Sequence, residues 1–276
     1  MSAVDRLFNQ LEISEEGIWS YNFDVADQLE ELQLRQALAH SADEYLKLVS
    51  KSHSIPVMDY EVRNFLVSLP ENARVLDSGG GWGWHFRNVS HIRSDVTVFV
   101  LDAVIENLRI AKNLINDKRG HVIYVHGTAT NLPFEPETFD GYWSVQALQH
   151  IPNFQTTVIE AFRILKHGGK FCNYSLQNQF LVNFLYRYLG RNAAQQQSGT
   201  SFFLNKASKE QYDFISEVFL GGVQKRYSEF LFNPSFRMTS PGKVNSILGR
   251  LDARLSNSNP LLGSFARQQS VHVCKK

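Results

Sequence analysis

The sequence predicts an α/β fold, an open and mostly parallel sheet wrapped by helices, and three observations carry that prediction. The stretch RVLDSGGGWGWHF, Arg74 to Phe86, reads as a short buried strand that runs into a glycine-rich turn and then a helix. A second β-branched and aromatic strand, DVTVFVLD, follows from Asp95 to Asp102 and ends in an acid. Strand and helix patterns then keep alternating as far as Ser175, as in a parallel sheet with crossover helices.

In the first unit, Val75 and Leu76 form the apolar end of the strand and Asp77 stands at its carboxyl tip. Gly79, Gly81 and Gly83 alternate through the turn. Glycines there open backbone angles closed to other residues and let a ligand approach without a Cβ in the way. In an open α/β sheet, nucleotide-like ligands bind in this first strand-to-helix crevice. A dinucleotide fingerprint counted from Gly79 and Gly81 would need a small residue where Trp84 stands, which is far too large. A nicotinamide dehydrogenase is disfavoured on that ground.

The remaining elements follow in order. His121 to Asn153 holds a third strand, a polar turn, the Leu132-Pro133-Phe134 loop and a fourth strand that begins near Phe139 and Asp140. Glu160 to Ser175 gives a helix, a stop at Gly168 and Gly169, and a fifth strand. Gln177 to Arg191 is an aromatic-rich helix, and Asn192 to Ser201 is a polar loop. Ser208 and Gln211 cap a further helix that Gly221 and Gly222 terminate. Val223 to Phe232 reads as a sixth strand and SVHVCKK at the terminus as a seventh. The long connection between them includes an amphipathic pattern from Val244 to Leu255, and connections of such length are commonly functional.

Residues before Asn72 read as a helical N-terminal extension, with Val25, Leu29, Leu32, Leu38 and Leu46 at mostly helical spacing. Ser41 and Glu44 make a capping box, and another helix runs from Pro56 to about Leu69, where Pro70 stops it. The expected division is 1–71 for the extension and 72–276 for the α/β domain, with 177–201 and 233–269 as insertions on the acceptor side.

The pattern Asp77-x-Gly79-x-Gly81-x-Gly83, the acid at Asp102 and the ordered elements from about Asn72 to Ser175 together resemble the class I S-adenosylmethionine-dependent methyltransferases. The resemblance implies a Rossmann-like seven-stranded sheet of order 3-2-1-4-5-7-6, with helices on both faces. It also implies S-adenosyl-L-methionine as cofactor. Asp77, Gly79, Gly81 and Gly83 would then lie at its methionine part, Asp102 and Ala103 at its ribose, and Thr128, Ala129 and Thr130 around its adenine, with Gln146 a further contact. Many members carry an acid where this chain has Thr128; the hydroxyl and the backbone groups of Thr128 and Ala129 would read the ring edge instead. In relatives a tyrosine of the N-terminal extension often reaches the methionine end, and Tyr45 is the candidate here.

Methyl transfer from a sulfonium needs positioning, desolvation and, for an alcohol, a base. The acceptor crevice should lie over the carboxyl ends of the fourth and fifth strands. His150, after the fourth strand, and His85, after the glycine loop, are the candidate catalytic bases, and Tyr142 lies on the fourth strand. The segment Ser144-Val145-Gln146-Ala147 lacks the Asn/Asp-Pro-Pro-aromatic motif of nucleic-acid amino methyltransferases. No paired glutamates lie between Gly141 and Gln155, and no carboxylate cluster for magnesium, so no metal is expected. A small-molecule or glycan acceptor remains. The resemblance of RYSEFLFNP and the C-terminal stretch to polysaccharide-pathway methyltransferases favours a sugar oxygen. Phe180, Phe184, Tyr186 and Tyr188 motivate the alternative, an apolar acceptor such as a quinone precursor, and a catalytically silent binding protein is a third reading.

Composition bounds the rest. The chain has 276 residues, enough for one sizeable α/β domain with accessories, and a formal net charge of +1 with no basic stripe, which argues against a nucleic-acid partner. The first residues lack a signal-peptide pattern, no run approaches a membrane span, and Cys172 and Cys274 read as reduced core residues. A cytoplasmic protein is expected.

Overall fold

The computed structural model describes residues 11–29, 32–33, 36, 54–115, 121–177, 188, 207–231, 247–256 and 260–276. Its centre is a nine-stranded sheet. The strands are β1 (Glu12–Ile13), β2 (Ile18–Ser20), β3 (Arg74–Ser78), β4 (Thr97–Asp102), β5 (Val122–His126), β6 (Phe139–Val145), β7 (Leu165–Leu176), β8 (Gln224–Ser228) and β9 (Gln268–Cys274). Their order is β1-β2-β5-β4-β3-β6-β7-β9-β8. From β5 onward this is the order 3-2-1-4-5-7-6 expected from the resemblance, with β9 antiparallel between β7 and β8.

Two strands exceed the expectation. The N-terminal extension is not helical throughout, because β1 and β2 form a hairpin turned at Gly17, whose φ is 72°. β2 then lies parallel to β5, pairing Ile18 with Tyr124 and Ser20 with His126. Ile18 is 1% exposed, so a hydrophobic edge is covered and the backbone groups of β5 are paired. Helix follows as expected around Leu29 and Leu32, with a 3-10 turn at Ala26–Gln28 and helical Leu29, Leu32, Gln33 and Gln36, and again in α1 (Ser54–Val67), while the capping box at Ser41 and Glu44 lies outside the described residues.

Helices cover both faces. On one face α1, α2 (Val89–Ile92) and α3 (Ile105–Leu114) pack Phe65, Leu66, Val89, Leu108 and Ala111 against Val75, Val98, Val100 and Trp143. On the other, α4 (Phe154–Ile164) and α5 (Lys209–Val218) pack Phe154, Val158, Ala161 and Ile215 on Leu76, Phe99, Phe139 and Phe171. The alternation of Val75 with Leu76, and of Trp143 with Tyr142, between the two clusters is the two-residue period of a doubly covered sheet. α6 (Ile247–Leu255) lies against α1, and the single turn α7 (Pro260–Gly263) lies by β8.

Three local expectations change. The glycine loop leads into a short 3-10 turn, Trp84–Phe86, before the single turn of α2, rather than into one long helix. Arg87 explains the bend: it donates to the Trp84 carbonyl at 2.8 Å, lies over the Trp84 ring and pairs with Asp59 of α1 at 2.7 Å. α4 ends at Ile164, ahead of the expected glycine stop; Leu165 already pairs with Phe139, and Gly168, at φ 77°, turns a bulge before Lys170 rejoins opposite Gly141. Cys172 is buried, whereas Cys274 is exposed at the end of β9, and both thiols are free. Further on, the Ser208 side chain accepts from the Gln211 amide at 3.2 Å and starts α5.

Candidate active site

The site forms where the sheet's winding reverses, beyond the carboxyl ends of β3 and β4. Gly79 and Gly81 have φ of 67° and 55°, left-handed angles that side chains rarely adopt. They serve different ends. A Cβ on Gly79 would stand 2.3 Å from that of Ala147, so this glycine lets the loop after β3 press against the turn after β6. A Cβ on Gly81 would meet nothing within 4 Å, so Gly81 presents bare backbone to an open crevice. Gly83, at φ 63°, closes the loop by donating to the Gly80 carbonyl at 2.9 Å.

Asp102 ties the loop to β4. Its Oδ2 accepts from the Gly81 amide at 2.9 Å, and its Oδ1 accepts from the Val104 amide at 2.9 Å and the Asn107 side chain at 3.1 Å. Asn107 in turn accepts from the Trp82 indole at 2.8 Å, so acid, amide and indole fix the loop as one unit. Beneath it lies Asp77, 1% exposed, with Oδ2 buried and without a hydrogen bond. Burial, reinforced by the nearby Asp102 charge, pushes its carboxyl well above the usual range. Two acids at one glycine loop favour a ligand carrying positive charge.

The loops after β4 and β5 flank the crevice. Ala103 is partly exposed, and its carbonyl lies 3.2 Å from His126 Nε2. Thr128 is buried with its Oγ1 3.0 Å from that of Thr130, while the Ala129 methyl joins the core. The Thr128 amide is not available to read a ring edge: it donates to the Tyr21 hydroxyl at 3.0 Å. That leaves the backbone of Ala129 and the hydroxyl pair of Thr128 and Thr130 as the polar groups of this loop that could meet adenine. Tyr45 lies outside the described residues.

On the other flank, Gln146 has φ 54°, a sparsely populated angle for a side chain, and is held by its amide donating to the Tyr174 carbonyl at 2.7 Å. His150 ends the 3-10 turn Leu148–His150, with its Nε2 3.3 Å from Gln149 Nε2. The amide nitrogen of Gln149 can only donate, so this contact makes His150 Nε2 an acceptor. Gln149 is itself fixed, accepting from the Leu176 amide at 2.9 Å at the end of β7. The chain thus brings His150 to the carboxyl ends of β6 and β7, as expected. His85 is different. Its Nδ1 is buried without a partner, and burial together with the Arg87 charge lowers its pKa to about 4. A base is most effective with a pKa near the working pH, so His85 is poorly matched to that task. Tyr142 is fully buried, stacked on Phe171 at 5.2 Å between centroids, and belongs to the core rather than the crevice.

These residues fit the cofactor named by the resemblance. The bare backbone at Gly81 leaves room for it, and the unpartnered Asp77 oxygen and the Asp102 carboxylate suit its sulfonium and ammonium charges. Sequence reasoning missed Trp82, Asn107 and Tyr21. The first two had a signal, since Asn107 follows Asp102 by one helical turn beyond the strand; Tyr21 had none. Among the described residues no group of three His, Cys, Asp or Glu could hold a metal, and no helix is long and apolar enough to cross a membrane.

Known proteins agree with this geometry. Residues 76–173 match the family model described as a methyltransferase domain. The ubiquinone/menaquinone biosynthesis C-methyltransferase UbiE of Bartonella bacilliformis is 30% identical over 101 residues, 36% of this chain and 39% of that protein. The sterol 4-C-methyltransferase strm-1 of Caenorhabditis elegans is 33% identical over 113 residues, 40% of this chain and 33% of that protein. The matched stretch therefore spans well under half of these relatives' length. In fold, the chain is similar to a SAM-dependent methyltransferase of Thermotoga maritima described as a possible histamine N-methyltransferase, with a TM-score of 0.59, 15% identity, and coverage of 89% of this chain and 99% of that one. It is also similar to phosphoethanolamine N-methyltransferase 2 of Haemonchus contortus, solved with S-adenosylhomocysteine, with a TM-score of 0.54, 16% identity, and coverage of 79% and 52%. Loop, strand order and matched domain converge: residues 76–173 match a methyltransferase domain, and the fold is that of solved SAM-dependent methyltransferases.

Proposed function

We propose that the chain transfers a methyl group from S-adenosylmethionine to an apolar small molecule held over the carboxyl ends of β6 and β7. The observation that carries the methyltransferase reading is the glycine loop, in which Gly81 offers open backbone while Asp102 holds its amide. The bound cofactor supplies an electrophilic methyl on a sulfonium. The chain's own residues do the rest. Gly79 seats the loop against Ala147, which brings the cofactor crevice beside the turn carrying His150. The proton that a ring carbon or hydroxyl acceptor must lose would pass to His150 Nε2 once that nitrogen exchanges its Gln149 hydrogen bond for one to the acceptor.

The choice of an apolar acceptor is supported by the relatives, whose names assign them quinone and sterol C-methylation. The sugar-oxygen expectation leans on the resemblance of RYSEFLFNP and the C-terminal stretch to polysaccharide-pathway methyltransferases, and residues 232–246 of that stretch lie outside the described residues. Incubation with methyl-labelled cofactor and either demethylated quinols or nucleotide-activated sugars separates the readings. Label in the quinol supports the proposal. Label in the sugar moves the acceptor to the polar class, and cofactor binding without label in any acceptor supports a catalytically silent protein.

A further inference from the structure

We infer that Tyr21 is the positioning residue for the adenine side of the cofactor site, holding the loop after β5 in the shape that receives the ring. The inference rests on the cofactor reading above and deepens it. Register places the residue: β2 pairs Ser20 with His126, so Tyr21 emerges opposite Gly127. Gly127 makes room for it, since a Cβ there would stand 2.2 Å from the tyrosine ring. The Tyr21 hydroxyl then spans the loop. It accepts from the Thr128 amide at 3.0 Å and lies 2.6 Å from the Asn131 carbonyl, to which it donates, with the Thr128 carbonyl at 3.1 Å sharing that proton. One hydroxyl thereby ties residues 128 and 131 together, and the Thr128 and Thr130 hydroxyls between them meet at 3.0 Å.

The same segment reaches the ribose side. Phe23 stands edge-on to His126 at 4.9 Å, and His126 Nε2 lies 3.2 Å from the carbonyl of Ala103, which follows Asp102. The hairpin is itself tethered to α3, where Arg109 pairs with Glu16 at 2.9 Å and Lys112 donates to the Glu16 carbonyl. A strand absent from the expected seven is therefore joined to both loops that flank the adenosine end of the crevice. Burial pushes the Tyr21 hydroxyl up, so it stays protonated and able to donate at any physiological pH.

The test uses calorimetry with two probes, S-adenosylhomocysteine and S-inosylhomocysteine, which differ at the ring edge the loop would read. Tyr21→Phe keeps the ring over Gly127 and removes only the hydroxyl. It should weaken S-adenosylhomocysteine binding on the order of tenfold and shrink the preference for adenine over hypoxanthine. The preference is a ratio, so it is unaffected by any loss of folded protein. Gly127→Ala should displace the tyrosine ring and lower the same ratio. With an acceptor in hand, the variants should raise KM for the cofactor while leaving KM for the acceptor unchanged. Wild-type affinity and wild-type preference in Tyr21→Phe would overturn the inference and leave the methyltransferase reading intact. Failure of the unmodified chain to bind S-adenosylhomocysteine would instead overturn that reading.

Discussion

The backbone amide of Gly81 donates to the carboxylate of Asp102 over 2.9 Å, joining the loop after β3 to the end of β4. The acid expected from the sequence to hold a ligand's ribose is therefore also a structural clamp on the glycine loop. Asp102→Ala removes that clamp and two further hydrogen bonds at once, those from the Val104 amide and the Asn107 side chain. S-adenosylhomocysteine affinity should fall by at least ~1 kcal/mol, about fivefold or more. Calorimetry on the folded variant checks it; unchanged affinity would remove Asp102 from the site.

The glycines of the loop should separate by function. Gly81→Val meets no neighbour and carries only the strain of its φ of 55°, so the fold should survive with circular dichroism largely intact while ligand binding is lost. Gly79→Ala places a methyl 2.3 Å from that of Ala147 at an unfavourable φ, so the two turns must part and stability itself should fall by about 1–3 kcal/mol. Denaturant midpoints and titrations on both variants give the answer. Both substitutions carry the strain of a positive φ, so a stability loss in Gly79→Ala no greater than that in Gly81→Val would refute the packing role of Gly79.

On the α1 face, Glu61 is 2% exposed, accepts from the Tyr174 hydroxyl at 2.9 Å and pairs with Arg226 at 3.3 Å. Arg226→Met leaves that carboxylate buried without its cation, at a cost of about 3 kcal/mol. The double variant with Glu61→Gln should recover much of the loss. Urea unfolding of the two proteins decides it, and a double variant no more stable than Arg226→Met would refute the pairing.

Acid should destabilise the chain through its buried histidines. Burial, with Arg87 and Arg226 respectively, lowers the pKa of His85 to about 4 and of His272 to about 3. Both are below the unfolded value near 6.5, so between pH 6.5 and these values the unfolded chain binds more protons. Stability is therefore fully present above about pH 6.5 and falls as pH drops, by up to about 1.4 kcal/mol per unit for each histidine. Asp77 acts oppositely: its carboxyl is raised, so it contributes stability at low pH that is lost as pH rises. Melting temperatures from pH 7 to 4 should show the decline, and His272→Gln should flatten it; an identical slope in that variant would exclude His272 as a source.

The sequence by itself determined the core strands and crossover helices, the glycine loop and the acids at Asp77 and Asp102, while the order of the sheet came only with the family resemblance those elements carry. The elements are legible because they are local: strand periodicity, left-handed glycines and an acid at a strand tip are set by neighbours along the chain. The acceptor class was not legible, since no short motif encodes it. What only the tertiary structure decided are contacts between distant segments. The pairing of β2 with β5 sets Tyr21 on Thr128 across 107 residues, and Arg226 reaches Glu61 across 165. His85 and Tyr142 looked available in sequence because burial is a property of packing: only the folded sheet withdraws Tyr142 into the core and lowers the basicity of His85.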